Sequence, residues 1–149
     1  IQEKMRNNNI ILLNPSLNDL FQDNVYKLEI DDDTHYIPLW HNEVTIDNMI
    51  IKNIPDITDN ISIASNHDII IKESVNIIQL FNQGNVTIYA GAAGEAVKTF
   101  NINSNDVKLS KHPQLIVFKN QGKLIPNNLN LYDNKNRSNV IIELTLISE

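Results

Sequence analysis

The chain has 149 residues, no cysteine and a formal net charge of −6 at pH 7. That length suits one ordinary domain or two small ones in contact, and the missing cysteine excludes disulfides and thiolate metal sites. The acidic balance, with no basic run anywhere, argues against sequence-independent nucleic-acid binding, which needs clustered Lys and Arg.

In chain order, residues 1–8 read as a polar N-terminal extension. The start Ile1-Gln2-Glu3-Lys4-Met5-Arg6 has no apolar h-region, so no signal peptide is expected. A strand follows at Ile10–Leu13. Ser16 then caps a short helix with Asp19 in its first turn, and Leu17, Leu20 and Phe21 form one apolar stripe. Further strands are expected at Val25–Ile30, His35–Leu39, Val44–Ile46 and Met49–Ile54. The pattern stops at Pro55-Asp56.

It then begins again. Ile61–Ile63 and Asp68–Glu73 are strands, Asn76 caps a second helix, and Ile77, Leu80 and Phe81 repeat the stripe. Strands are expected at Asn85–Tyr89, Val97–Ile102, Val107–Leu109, Leu115–Lys119 and Asn139–Ile147, with flexible or polar turns at Gly91–Gly94 and Asn127–Arg137. Apolar strand, helix ending in Leu-Phe and second strand recur about 60 residues apart, the mark of one supersecondary unit used twice. The expected class is all-β with two short helices, arranged as two tandem β-sandwich subdomains at 9–54 and 55–149.

Catalytic and ligand patterns are weak. His35, His41, His67 and His112 are scattered, with no His-x-x-x-His pair, so no metal site is expected. Asp31-Asp32-Asp33 lacks the glycine and glutamate of a calcium loop, having Tyr36 and Asn42 at those places. Ala90–Gly94 carries no Gly-Lys-Ser/Thr, and no Gly-x-Ser-x-Gly occurs. No cofactor and no enzymatic activity are expected. Trp40 reads as a core anchor. Asn and Ile number 24 each, so the Asn-x-Ser/Thr matches at Asn60, Asn85 and Asn136 arise by chance. The longest apolar runs, such as Ile69–Ile71 and Val140–Ile142, are strand-sized, so no membrane span is expected.

Leu12-Leu13-Asn14-Pro15-Ser16-Leu17-Asn18-Asp19-Leu20-Phe21 followed by Tyr26–Ile30 resembles the first C-terminal β-domain of the DnaJ family of J-domain co-chaperones. Pro38-Leu39-Trp40-His41 with Val44–Ile46 is similar to that family's next segment. Phe118–Gly122, Pro126 and Asn136–Ile142 resemble its second β-domain. The Ile37–His41 segment and the Asn/Ile bias are similar to degenerate DnaJ-like proteins of large DNA viruses. The sequence departs from the family in holding no His-Pro-Asp tripeptide and no cysteine-rich zinc module; His112-Pro113 is followed by Gln114.

The resemblance implies two DnaJ C-terminal-like subdomains that bind unfolded or assembling polypeptide clients, alone or beside a DnaK-type chaperone, in the cytoplasm. A client would add as a strand to an apolar groove. Carried onto this chain, that groove is Ile11, Leu13, Leu28 and Ile30, with Lys27 and Glu29 on the reverse face; on the alternative reading all four fill the core. A second expectation is a structural protein on the same fold, a minor capsid or virion-associated component contacting capsid proteins.

Overall fold

The computed structural model describes residues 3–6, 9–91 and 98–148. The protein is all-β with two short helices. Two runs of elements share one topology.

The first run is β1 (Glu3–Arg6), β2 (Ile10–Leu13), α1 (Leu17–Phe21), β3 (Val25–Ile30), β4 (Asp33–Pro38), β5 (Glu43–Ile46) and β6 (Met49–Asn53). Its sheet has the order β1-β2-β6-β5, with β2 and β6 parallel and the other pairs antiparallel, while β3 and β4 form a separate hairpin. The second run is β7 (Ile61–Ile63), β8 (Ile69–Asn76), α2 (Ile77–Gln83), β9 (Asn85–Ala90), β10 (Lys98–Asn103), β11 (Gln114–Phe118) and β12 (Val140–Ile147). Its sheet, β7-β8-β12-β11, repeats the pattern with β8 and β12 parallel, and β9 and β10 form the separate hairpin.

Local chemistry sets the breaks. Ser16 Oγ accepts from the Asp19 N–H at 3.1 Å and the Asp19 carboxylate accepts from the Ser16 N–H at 2.9 Å, a reciprocal cap that opens α1. Asn76 Oδ1 caps α2 through the Gln79 N–H at 3.0 Å. Gly84, at φ 82°, closes α2 in the left-handed region that glycine adopts without strain. The β3–β4 turn puts Asp31 and Asp32 at φ 48° and 68°; twisted two-residue hairpins require this geometry, and Asp tolerates it.

Each run buries its own core. Ile11, Leu13, Leu28, Ile37, Leu39, Val44 and Ile51 form the first. The second is larger, built around Ile69, Ile71, Ile88, Phe100, Ile142 and Leu144. The stripe on α1 does not serve the first core. Leu17 belongs to the second core and Phe21 packs against it, with the Phe21 and Phe100 rings 6.3 Å apart. In return Leu131, on the long β11–β12 connection, packs against the first core. The runs are therefore interlocked by exchanged side chains.

Three local expectations are corrected or fall outside the description. Val107–Leu109 is not a strand: the Asn103 side chain caps a 3-10 turn at Ser104–Asp106, and the chain leaves the hairpin there. Part of the expected extension, Glu3–Arg6, is strand β1 on the sheet edge. The Gly91–Gly94 turn lies mostly outside the described residues, as does Val97.

Candidate functional site

Of the two readings of Ile11, Leu13, Leu28 and Ile30, groove or core, their burial agrees with the core. Ile11 and Leu13 are fully buried and Leu28 is 1% exposed, all inside the first core; Ile30 is half-buried against it. These side chains fill the space between the first sheet and the β3–β4 hairpin. An open groove there would remove that core. The solvent face of the hairpin carries Lys27 and Glu29 opposite Tyr36 and Thr34, while exposed Val25 pairs with buried Pro38. Lys27 and Glu29 thus do lie on the reverse face.

An open apolar strand lies in the second half instead. β11 is the last strand of its sheet, and among the described residues no strand pairs with its outer side. Its inner side chains Ile116 and Phe118 pack on the second core, with Phe118 and Phe100 ring centroids 5.0 Å apart. Its outer side chains Leu115 and Val117 are 65% and 48% exposed. The apolar surface continues inward, since Val117 lies opposite Ile141 and Ile141 opposite Ile70. Residues directly opposite in a sheet share a face, so these three form one row. The next row is polar: Leu115 faces Glu143, whose carboxylate lies 3.9 Å from Lys72 Nζ.

The ends of β11 are fixed. The Gln114 side chain accepts from the Lys108 N–H at 2.9 Å and donates to the Lys108 carbonyl at 2.8 Å, imitating a strand partner and anchoring the preceding loop. After Phe118 the chain turns at Asn120, φ 59°, whose N–H donates to Asn139 Oδ1 at 2.9 Å. Gly122 then passes so close to the next segment that a Cβ there would collide with Ser138 Oγ and meet the Asn139 carbonyl at 2.8 Å. Charge is biased as well: residues 107–132 contain Lys108, Lys111, Lys119 and Lys123 and no Asp or Glu, in a chain of net charge −6. The edge thus combines a strand with no outer strand partner among the described residues, exposed apolar side chains and flanking lysines.

The connection behind β11 also ties the halves. Arg137 Nη2 donates to both carboxylate oxygens of Asp23, and its Nη1 donates to the Gly122 carbonyl at 2.7 Å. Lys98 Nζ lies 4.9 Å from the Phe21 ring centroid. Lys123 is buried, with Nζ 2.9 Å from His67 Nδ1 and donating to the Leu124 carbonyl at 3.0 Å. Burial drives its ammonium down to about 8. His41, also buried, meets the Leu131 carbonyl at 2.8 Å through Nε2. Burial first, then the Lys123 charge, holds both His67 and His41 below the usual imidazole range, although the Leu131 carbonyl opposes this at His41. Trp40 is 4% exposed, an anchor of the interior rather than a stacking platform.

Among the described residues no group of His, Asp or Glu gathers as metal ligands would, and no helix is long and apolar enough to cross a membrane. No protein-family model matches the chain, and no curated protein is significantly similar to it.

The strand at β11 was visible in the sequence, but its role as an open edge was not. Leu115-Ile116-Val117-Phe118 is apolar at every position, so no alternation marks an outer face. The acid-free stretch around it was the one available signal.

Proposed function

We propose that this protein binds extended polypeptide segments, unfolded or assembling, by strand addition to β11, in the manner of the DnaJ-family client-binding domains that its sequence resembles. The observation that carries the reading is an unpaired edge strand with Leu115 and Val117 exposed beside a continuing apolar row. Exposed apolar edges invite pairing, and folded proteins usually cover or charge them. Binding of this kind needs no cofactor and no covalent step. The reading includes a cytoplasmic setting and a DnaK-type chaperone as a downstream partner. A structural role, in a virion for instance, is the second reading; a free edge on the first sheet, at β5, supports it.

The test is suppression of aggregation of an unfolded client by wild type and by a Leu115→Lys/Val117→Lys variant. Both positions are exposed, so the variant should retain its fold, checked by circular dichroism and thermal unfolding. Suppression by wild type that falls several-fold in the folded variant supports the reading. Equal suppression by both, or none by either, rejects it.

A further inference from the structure

Both sheets end in an open strand, and the two ends carry opposite charge. Residues 9–54 contain eight Asp or Glu against two Lys, so the first half holds the whole net charge of the chain. Its open strand β5 begins at exposed Glu43 and is followed by exposed Asp47. The open strand of the second half, β11, is preceded by exposed Lys111 and followed by exposed Lys119. Among the described residues neither strand has a partner on its outer side.

The alternation of the two strands is compatible as well. In β5, Val44 is buried, Ile46 packs against the first core, and Glu43 and Thr45 face outward. In β11, Ile116 and Phe118 point to the core and Leu115 and Val117 face outward. Setting β5 antiparallel to β11 with Thr45 opposite Val117 places Val44 opposite Phe118 and Ile46 opposite Ile116, core side to core side. The same register places Glu43 opposite Lys119, on one face. The outer row then runs from Ile70 through Ile141 and Val117 to Thr45, Ile50 and Ile10, apolar at every position except Thr45.

We infer that β5 of one copy pairs with β11 of a second copy, joining the sheets edge to edge in head-to-tail chains held by Glu43–Lys119 complementarity. The joined surfaces differ, so the contact is heterologous and each copy keeps one free end of each kind. Such contacts build open chains rather than closed dimers. The inference shares the open β11 edge with the proposed function, and a bound client and a second copy compete for it. Salt screens the charge pair, so association weakens as ionic strength rises.

The experiment is sedimentation velocity at increasing concentration on wild type, Glu43→Lys, Lys119→Glu and an equimolar mixture of the two variants. Both positions of the charge pair are exposed, and folding is checked by circular dichroism. Wild type should exceed the 17.0 kDa monomer in average mass at high concentration and low salt. Each variant alone should stay monomeric. The mixture should assemble, because Lys at 43 of one variant meets Glu at 119 of the other while the native pair forms at the alternate junction. A wild type that remains monomeric throughout, or variants that assemble as it does, overturns the inference. Glu43→Lys leaves β11 unaltered, so it should still suppress client aggregation; failure there counts against client binding and leaves the assembly result standing.

Discussion

Lys123 shows how one side chain couples the interior to pH. The residue is 2% exposed, and burial lowers its ammonium from 10.5 to about 8. Between those values the unfolded chain holds a proton that the folded chain has lost, so stability should rise with pH across the window from about 8 to 10.5. At about 1.4 kcal/mol per tenfold change in proton affinity, the rise is about 3 kcal/mol. Burial lowers Lys98 too and adds to the same slope, so a Lys123→Met variant is needed to isolate the effect. Urea unfolding should give wild type a steeper rise over this window than the variant; parallel curves would contradict the assignment. The histidines act in the opposite pH region. His67 and His41 are both held below 6.5, so their contribution is complete above that value and falls away as pH drops below it. A protonated His67 could no longer accept at Nδ1 from Lys123 and would set a second positive charge beside a buried one.

At the scale of elements, α1 and α2 are the same device with different duties. Both begin at a side-chain cap, and both carry apolar residues at the first, fourth and fifth positions. Ser16→Ala removes the reciprocal cap of α1 and should cost about 1 kcal/mol, measured by chemical denaturation. An unchanged midpoint would mean that packing alone holds the helix. The repeat, the caps and most strands were legible in the sequence, because helix caps, alternation and turn residues are local signals. What a stripe packs against is not local. Leu17 and Phe21 announce a buried face, yet their partner is the core of the other half. Whether Ile11, Leu13, Leu28 and Ile30 line a groove or fill the core stays open in the sequence for a related reason. Alternation groups Ile11 with Leu13 and Leu28 with Ile30, but Ile10 and Leu12 make the opposite face apolar too. Which face points inward is decided by the hairpin lying over the sheet.

For the whole molecule, the exchange of side chains between halves predicts cooperative unfolding. Phe21 comes from the first half but packs on the second core, against Phe100 and beneath Lys98. Phe21→Ala should lower stability by about 2 kcal/mol, less than for a fully buried ring, within a single transition seen equally by Trp40 fluorescence and circular dichroism. Two separated transitions would show that the contacts between halves contribute little. The proposed function rests on an open apolar edge flanked by lysines, β11, on a duplicated, interlocked β scaffold. Hydrogen exchange over the whole chain, with and without an extended apolar-acidic peptide, tests this most directly. The account predicts new protection concentrated in the amides of β11, residues 114–118, and weak or no change in β3 and β4. Protection centred on the β3–β4 hairpin, or none at all under saturating peptide, would contradict it.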